Sequence, residues 1–564
     1  MSRKYTVGID FGTLSVRAVL VEIYSGKVIA DSVFEYPHAV MDVSLPSGKA
    51  LPADFALQHP ADYLEGFGKT VSDVIRLSGV SPDDIIGIGI DFTTCTLIPT
   101  KKDGTPLCFD ERFKDEPHAY VKLWKHHAAQ PEADRLNEAA EKYAPHILER
   151  LGGKTSSEWL FPKVMEVLEK APDVYDETAY FIDGGDFISW MLTGRQTRSY
   201  VLASYKALYL HDFGYPSKEM LRALSPKLEN VVEEKLDAPM AYTCESVGVV
   251  DALSRERFGV PADAPWLNTG TVVACPEPDA HCAAPALGMS ESGDMFAIFG
   301  TSSNYMLISD EYKIIPGICG VVKDGLIPGY NAYESGLCCF GDHFAWVTKN
   351  ICNAEYREEA RARGISDIQL ISEKAEALSP GESGIIALNW WNGNRNILVD
   401  ASLSGMFLGM TLRTRPEELF RAIVEANAFG TRVIIENFEK YGVKVERMTA
   451  AGGITRKSPF VMQTLADILG KTLCVSGYLH SSALGAAIYA AVASGGHTTL
   501  KKACAAMADP CETVYKPNPE AKAVYDKLYE EYLKLHDYFG RGGNDVMKRL
   551  KEISAEAKSA KQKE

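Results

Sequence analysis

KYTVGIDFGTLSVRAVLVEIYSGKVIA, residues 4–30, is the stretch of sequence that decides the fold. A β-rich run ends at Asp10, the chain turns through Gly12 and Thr13, and a second β-rich run follows over residues 16–23. A glycine and a short hydroxyl residue between two apolar runs are typical of a tight turn that joins two strands. The stretch therefore predicts a strand–turn–strand unit at the start of the first domain.

The predicted turn has the chemistry of a phosphate site. Its backbone N–H groups can face an anion, the hydroxyl of Thr13 adds a donor, and Asp10 can hold a metal ion that screens phosphate charge. The same arrangement returns in residues 294–309, DMFAIFGTSSNYMLIS, where Gly300 and Thr301 separate two apolar runs. Either loop alone is also compatible with an ordinary hairpin turn. The two loops together favour a duplicated nucleotide-binding fold.

Length and composition restrict the class of protein. A chain of 564 residues is too long for one ordinary core and predicts two large domains or three smaller ones. The formal net charge of −16, from 59 basic and 75 acidic residues, argues against a general nucleic-acid or anionic-membrane binder. The first residues lead directly into predicted structure, and there is no long apolar run, so we expect a cytoplasmic protein. Twelve cysteines without a Cys-x-x-Cys pair are expected to be reduced, buried thiols.

The order of predicted elements indicates an α/β protein with two domains that flank a nucleotide and sugar cleft. The stretch 276–293, rich in Gly, Pro and Asp, gives the expected boundary, with domains over 1–288 and 289–564. Further predictions are helices over 128–143, 160–170, 416–441 and 520–551, strands over 295–308 and 445–451, a tightly packed helix over 483–493, and a frayed tail after residue 554.

A third candidate nucleotide element and a candidate base lie near these loops in the sequence. Gly452 and Gly453 follow a predicted strand at the start of a helix, where glycine lets the backbone approach a ligand closely. Asp279 lies in a proline-flanked loop before the second domain and could accept a proton from a hydroxyl that attacks a γ-phosphate. A helix-entry turn and a turn-capping Asp are the ordinary structural alternatives. A metal site from residues 275, 281 and 282 matches no zinc spacing.

Lys206 and Glu334 are single charges in apolar or aromatic surroundings. A buried charge needs a partner, and a polyhydroxylated sugar is one such partner, although an internal salt bridge explains the pattern nearly as well. His126 and His127 are interpreted as surface or packing residues. The sequence has no GxxxxGK[ST] loop and no protein-kinase HRD motif, which excludes those two classes of phosphotransferase on the usual patterns.

With these residues in hand, the chain resembles the FGGY family of carbohydrate kinases from about Tyr5 to Gly496. The segments that carry the resemblance are LPADFALQHPADYLE, GIGIDFTTCT, PHAYVKLWKHHAAQ, GGKTSSEW, PGYNAYESG, NWWNGNRN and LSGMFLGMTLRT. The resemblance implies two actin-like, ribonuclease-H-like domains. It also implies transfer of the γ-phosphate of ATP, with Mg²⁺, to the terminal 5-hydroxyl of L-ribulose.

The resemblance also implies roles for individual residues. Asp279 matches the catalytic base, and Asp10 matches the acid that organises Mg²⁺ through water. The positions implied to contact the nucleotide are Asp10, Gly12, Thr13, Arg17, Gly300, Thr301, Gly341, Gly452 and Gly453. The positions implied to contact the sugar are Thr94, Lys206, Asp279 and Glu334.

Departures from the family pattern keep other functions open. Position 94 is Thr where Ala is more common, and the surroundings of Lys206 and Glu334 differ from the usual CTAGYKA and YEAGQSAVGD. A kinase for D-ribulose, L-xylulose or a pentitol is therefore one alternative. A non-catalytic sugar-binding regulator and an actin-like or heat-shock-type ATPase are two more, and a homodimer is one assembly that the sequence leaves open.

Overall fold

The computed structural model describes residues 3–509 and 511–563, with the side chains of 561–563 left aside. The described chain divides into two compact units. Unit 1 comprises residues 1–292, 321–332 and 478–510, and unit 2 comprises 293–320, 333–477 and 511–564. This division is not a single cut, since residues 478–510 belong to unit 1. A boundary between residues 288 and 289 stays a prediction from sequence.

In chain order the strands are β1 Tyr5–Phe11, β2 Ser15–Glu22, β3 Val28–Glu35, β4 Leu57–Gln58, β5 Ile85–Phe92, β6 Leu97–Thr100, β7 Val121–Lys122, β8 Tyr180–Asp183, β9 Arg198–Ser199, β10 Met240–Ala241, β11 Ser246–Val249, β12 Val272–Ala274, β13 Glu277–Pro278, β14 Asp294–Phe299, β15 Ser303–Ser309, β16 Gly320–Lys323, β17 Asn331–Leu337, β18 Ile386–Leu388, β19 Met406–Leu408, β20 Arg447–Ala451, β21 Leu473–Ser476 and β22 Cys511–Tyr515.

The α-helices are α1 Pro60–Ser78, α2 Gln130–Tyr143, α3 Pro145–Arg150, α4 Leu160–Lys170, α5 Pro172–Glu177, α6 Gly184–Thr193, α7 Tyr200–Lys206, α8 Lys218–Leu224, α9 Ser254–Arg257, α10 Asp279–Ala286, α11 Gly341–Asn350, α12 Ala354–Arg363, α13 Asp367–Glu376, α14 Pro416–Lys440, α15 Gly453–Lys457, α16 Pro459–Leu469, α17 Ser481–Ala493, α18 Leu500–Met507, α19 Pro519–Gly540 and α20 Val546–Lys563. Short 3₁₀ or π segments lie at 82–84, 107–109, 117–119, 226–228 and 232–236.

The main sheet of unit 1 has the strand order β11-β12-β5-β1-β2-β3, with β13 paired to β5. β1 is antiparallel to β2 and parallel to β5, and β5 is parallel to β13. Every residue of β1 is buried, as expected for a strand covered on both faces. The carboxyl ends of β1, β5 and β13 therefore meet at one edge of the sheet.

Helix α17 covers β1 and β5 at very short range, because glycines on both strands leave room for its backbone. A Cβ atom on Gly8 would lie 1.8 Å from the carbonyl oxygen of Ala483, and one on Gly89 would lie 2.0 Å from that of Ala486. No other residue type fits at either position without displacing the helix. The prediction of a tightly packed helix over 483–493 is confirmed, with α17 beginning at Ser481.

A second core in unit 1 surrounds the four-stranded sheet of order β4-β7-β6-β8. It contains apolar side chains from α2, α4 and α5, among them Leu136, Val164 and Val174. This sheet positions the ends of β6, β7 and β8 near the carboxyl end of β5, since β6 follows β5 after a short turn.

Unit 2 contains a sheet in which the strands run β17-β15-β14-β20-β21-β22. β14 is antiparallel to β15 and parallel to β20, so the unit repeats the β1–β2–β5 arrangement of unit 1. Helices α14 and α16 pack against each other, and α19 packs on α16. Both units are α/β, as the sequence predicts.

The structure corrects three predictions about secondary structure. The C-terminal stretch expected as one helix over 520–551 is two helices, α19 and α20, separated by residues 541–545, where Gly542 has a φ of 84°. The tail after residue 554 is helical to Lys563 rather than frayed. Asp279 is the first residue of α10, directly after β13, and does not lie in a loop.

The cysteines differ from the expectation of reduced, buried thiols in two respects: two of them form a disulfide, and Cys244, Cys319 and Cys338 are only half-buried. Cys474 on β21 and Cys511 on β22 form a disulfide within unit 2, so these two residues are not free thiols. The other ten cysteines are free. Among the described helices, none is both long enough and apolar enough to span a membrane.

Candidate active site

Three carboxylates meet at the carboxyl edge of the unit 1 sheet. Asp10 on β1 lies directly opposite Asp91 on β5, and Asp279 follows β13, which pairs with β5 beside Asp91. Arg17 on β2 lies opposite Asp10, and its Nη1 donates to Asp10 Oδ2 over 2.9 Å. The pairing of these four strands thus brings together the predicted site residues Asp10, Asp279 and Arg17. It also places Asp91, which was not predicted, beside them.

Burial and mutual repulsion change the acidity of these carboxyls. Asp91 is fully buried, and its pKa is raised well above the usual value by burial and then by the charges of Asp10 and Asp279. The pKa of half-buried Asp279 is raised to about 7, first by burial and then by the charge of Asp10. A carboxyl with a pKa near 7 exchanges a proton readily at neutral pH, which suits a general base.

Sequence reasoning missed Asp91, although a signal for it exists. The tetrapeptide GIDF occurs twice, at residues 8–11 and 89–92, and the two copies pair in register on adjacent parallel strands. A repeated strand ending in Asp predicts a second carboxylate at the same edge of the sheet. The raised pKa of Asp91 favours its neutral form, which lowers the repulsion between Asp91 and Asp10 at this edge.

The first predicted phosphate turn is held by side chains from a different part of unit 1. Gly12 N–H donates to the Ser15 carbonyl over 3.0 Å, which closes the turn. Gln58 Nε2 donates to the Thr13 carbonyl over 2.7 Å, and Trp124 Nε1 donates to Thr13 Oγ1 over 3.2 Å. Trp124 is 39% exposed and was not singled out from the sequence.

Two of the predicted sugar residues, Thr94 and Lys206, lie near each other in unit 1. Thr94 belongs to the turn after β5, and the thiol of its neighbour Cys95 contacts the Lys206 carbonyl at 3.8 Å. Lys206 Nζ lies 5.1 Å from the centre of the Trp159 ring and 3.7 Å from Glu158 Oε2. The lysine therefore has an acidic and an aromatic neighbour, both in the GGKTSSEW segment.

Helix α7 connects Lys206 to the acid cluster. α7 packs against β13, the strand that ends at Asp279. The rings of Tyr205 and His281 contact each other with centres 4.0 Å apart and planes tilted by 47°, and each residue is close in sequence to Lys206 or Asp279. The predicted unit 1 residues Asp10, Arg17, Thr94, Lys206 and Asp279 thus occur in one connected region of the sheet edge.

The predicted unit 2 residues form a second group. Gly300 N–H donates to the Ser302 carbonyl over 2.9 Å, and the start of α11 pairs with this loop because Gly341 N–H donates to the Gly300 carbonyl over 3.0 Å. Thr301 is exposed at the tip. Gly452 has a φ of 105°, and a Cβ there would lie 2.4 Å from the Phe299 carbonyl oxygen.

Gly453, which begins α15, completes this group and has open space around its Cα. Glu334 belongs to unit 2 as well, on β17, where its carbonyl accepts a hydrogen bond from Cys319 N–H over 2.8 Å. The structure therefore brings the glycines of the second loop together within unit 2. It assigns Glu334 to that unit and the other three predicted sugar residues to unit 1.

The histidine pair of the KLWKHHAAQ segment divides between two environments. His126 is fully buried, and its Nε2 and the Nζ of Lys122 both lie 2.8 Å from Glu166 Oε2. His127 is exposed. His126 is thus a packing residue, as interpreted, but within a buried ion-pair network that the sequence did not indicate.

Within the part of the chain that the structure describes, one group of side chains has the spacing of a metal site: His38, His59 and Asp62. The rings of His38 and His59 stack at 4.5 Å, nearly parallel. Metal ions bind in the plane of an imidazole ring, so stacked rings are poorly arranged to chelate one ion. Residues 275, 281 and 282 do not form such a group in the described part of the chain.

Two family models match successive parts of the chain. The model of the N-terminal domain of the FGGY family of carbohydrate kinases matches residues 5–271, and the model of the C-terminal domain matches residues 295–494. Together these matches cover most of the chain.

Curated relatives match over nearly the whole length. A ribulokinase from Bacillus licheniformis is 48% identical over 545 residues, covering 96% of this chain and 97% of the relative. A ribulokinase from Geobacillus thermodenitrificans is 46% identical over 567 residues, covering 100% of this chain and 99% of the relative. A crystal structure of a xylulose kinase from Rhodospirillum rubrum has a TM-score of 0.77 at 21% identity, covering 94% of this chain and 98% of that one, and indicates the same fold.

Proposed function

Since the chain belongs to the FGGY family of carbohydrate kinases, we propose that it transfers the γ-phosphate of ATP to the 5-hydroxyl of L-ribulose. The products are ADP and L-ribulose 5-phosphate. The observation that carries this proposal is the identity of 44–48% with five relatives named ribulokinase over nearly the full chain. Identity of this extent across both domains supports a shared acceptor as well as a shared donor.

Asp279 is the proposed catalytic base. Its carboxylate accepts the proton of the 5-hydroxyl as that oxygen attacks the γ-phosphorus, and the β–γ bridging oxygen leaves with ADP. The pKa of about 7, raised by burial and by Asp10, supports the role because the group is partly ionised at neutral pH yet basic enough to take a proton. Its first-turn position in α10, fixed by pairing of β13 with β5, keeps the carboxylate in one place.

Charge on the phosphates is proposed to be balanced by Arg17 and by a divalent cation. Mg²⁺ prefers oxygen ligands and keeps several waters, and the carboxylate-rich edge around Asp10 has this donor chemistry. Asp10 would hold the ion through water, and Mg²⁺ supplies neutralisation of phosphate charge when it is bound with ATP. The turn containing Gly12 and Thr13 offers donors to the phosphates.

In unit 2, the proposed nucleotide residues are Gly300, Thr301, Gly341, Gly452 and Gly453. The absence of side chains at four of these positions lets backbone amides approach a polyphosphate closely. The observed close contacts of Gly341 and Gly452 with the Gly300 loop support one continuous backbone surface, with the hydroxyl of Thr301 exposed on it.

The proposed sugar residues are Thr94, Lys206 and Glu334 in addition to Asp279. Lys206 beside Trp159 and Glu158 offers a charged donor next to an aromatic face, which suits a polyhydroxylated ligand. Thr94 in place of the more common Ala favours a second candidate, a kinase whose best acceptor is D-ribulose, L-xylulose or a pentitol.

ATP and free ketopentoses are cytoplasmic metabolites, so we place the reaction in the cytoplasm, without a nucleic-acid or membrane partner. A homodimer is the proposed assembly, and light scattering of the purified protein measures it directly. A mass of one chain would exclude it.

Coupled measurement of ADP release tests the proposed function. We expect release only with an acceptor present, and the highest kcat/KM with L-ribulose in a panel of ketopentoses and pentitols. A higher value for another acceptor would favour the second candidate. Release at the same rate without sugar would indicate an ATPase, and no release with any acceptor would indicate a non-catalytic protein.

A further inference from the structure

The turn Thr93–Thr96, which follows β5, is almost entirely buried. Thr93 and Cys95 are each 3% exposed, Thr96 is fully buried, and only Thr94 is half-buried. Cys95 has a φ of 61°, in the left-handed region that costs a non-glycine residue free energy. Surrounding contacts must therefore hold this turn in place.

Cys95 makes three contacts with different parts of unit 1. Its N–H donates to Asp183 Oδ2 over 3.1 Å, and its carbonyl accepts from Lys163 Nζ over 2.7 Å. Its thiol contacts the Lys206 carbonyl at 3.8 Å. One residue thus connects strand β8, helix α4 and the end of helix α7.

The two side chains that hold the Cys95 backbone are buried titratable groups. Lys163 is fully buried and Asp183 is 8% exposed. A buried backbone N–H or C=O that loses its partner costs free energy, so both hydrogen bonds hold the turn in place. Burial raises the pKa of Asp183 to about 8 and lowers the pKa of Lys163. The bond from Cys95 N–H does not require an ionised Asp183, because a protonated carboxyl keeps an oxygen that accepts it.

We propose that Lys163 and Asp183 are positioning residues for the acceptor sugar. Through the Cys95 peptide they fix Thr94, and through the Cys95 thiol they fix the end of α7 that carries Lys206. The inference rests on the proposed function, because it takes Thr94 and Lys206 as sugar contacts. Neither Lys163 nor Asp183 needs to touch the substrate.

This arrangement makes acceptor choice depend on residues outside the sugar contacts. Releasing either hydrogen bond lets the strained Cys95 backbone relax, which moves Thr94 and leaves the unit 2 nucleotide residues unchanged. A displacement of about 1 Å at a positioned group costs on the order of a hundredfold in rate. We therefore expect a lower kcat/KM for the acceptor sugar, and a decrease that differs from one sugar to another.

The test compares Lys163→Met and Asp183→Ala with the parent enzyme and with Lys235→Met. Lys235 is a matched control, because it is 9% exposed and donates to the backbone carbonyls of Tyr175 and Thr178 instead of the turn. We expect the two test variants to raise KM for L-ribulose by about 10- to 100-fold. We expect KM for ATP to change by less than about twofold, since no nucleotide contact is altered.

The decisive readout is the ratio of kcat/KM values for L-ribulose and other acceptors. We expect this ratio to change in Lys163→Met and Asp183→Ala, and to stay at the parent value in Lys235→Met. Asp183→Asn keeps an oxygen that can accept the Cys95 N–H bond, so we expect it to restore most of the parent KM for sugar.

An equal loss for every acceptor, or an equal rise in both KM values, would overturn the inference and leave a structural role. If the two truncations do not fold, Cys95→Ala replaces them, because it removes the thiol contact with the end of α7. A parent-like acceptor ratio in Cys95→Ala would also overturn the inference. A parent enzyme that phosphorylates no sugar would contradict the proposed function instead, so the two failures are distinguishable.

Discussion

Asp279 is the residue on which the proposed chemistry depends most. Asp279→Asn keeps the size of the side chain but removes its ability to accept a proton. We expect kcat to fall by about 100- to 10,000-fold, the usual contribution of a general base. The affinity for ATP, measured by calorimetry, should stay within about threefold, because no proposed nucleotide contact is lost.

The matched control for this substitution is Asp263→Asn, which changes an exposed carboxylate elsewhere in unit 1. It should leave kcat unchanged. Near-parental turnover in Asp279→Asn would remove Asp279 from the role of base.

The raised pKa of Asp279 also predicts a pH dependence. Because burial and the charge of Asp10 raise its pKa to about 7, the carboxyl is protonated and inactive as a base below that pH. We expect kcat/KM to rise by about tenfold per pH unit below pH 7 and to level off above it. A profile that is flat from about pH 5 to pH 8 would contradict the assignment of a base with this pKa.

At the scale of elements, the turn between β20 and α15 gives the sharpest test of the unit 2 site. In Gly452→Ala the new Cβ would collide with the Phe299 carbonyl oxygen and require a strained φ of 105°. We expect KM for ATP to rise by about tenfold or more because the backbone beside the Gly300 loop moves.

Gly442→Ala is the control for backbone strain alone. Gly442 has a φ of 86° with open space around it, so the substitution costs about 1–2 kcal/mol of stability and no nucleotide affinity. Equal effects of the two substitutions on KM for ATP would contradict the proposed nucleotide site.

The buried network of β7 and α4 predicts a stability effect. Glu166→Ala leaves Lys122, which is 1% exposed, without its carboxylate partner. We expect the free energy of unfolding to fall by about 3–5 kcal/mol, measured by denaturant titration. The double variant Lys122→Met/Glu166→Leu should lose less than Glu166→Ala, because it leaves no unpaired charge. A double variant that is less stable than the single one would argue against this account.

Elements with a strong local signal could be predicted from the sequence. The strand–turn–strand units around Gly12 and Gly300 were predicted because apolar runs and turn residues are local features. Helix α4 was predicted at the same ends, Leu160 and Lys170. The helical break at residues 541–545 was missed because the flanking segments have similar amphipathic patterns.

Contacts between distant segments could not be predicted from those patterns. The Cys95 peptide is held by Asp183 and Lys163, which are 88 and 68 residues away in the chain. Asp91 was missed because its signal is the repetition of GIDF in two separate segments, and neither copy alone marks a functional acid. Its register beside Asp10 becomes visible only when β1 and β5 pair.

At the scale of the whole molecule, the two units carry different parts of the proposed chemistry. Unit 1 contains the acids, Arg17 and three of the proposed sugar residues, whereas unit 2 contains the glycine-rich nucleotide residues. Substitutions such as Lys163→Met in unit 1 and Gly452→Ala in unit 2 should therefore alter KM for different substrates. The division was expected from the two similar loops, but the return of residues 478–510 to unit 1 was not.

The most direct measurement of the central claim is the identity of the product. The purified protein is incubated with ATP, Mg²⁺ and L-ribulose, and the mixture is followed by ³¹P nuclear magnetic resonance. The account predicts one phosphomonoester, L-ribulose 5-phosphate, formed in equal amount with ADP and absent in Asp279→Asn over the same time. Inorganic phosphate as the only new species besides ADP, or an ester at another hydroxyl, would contradict it.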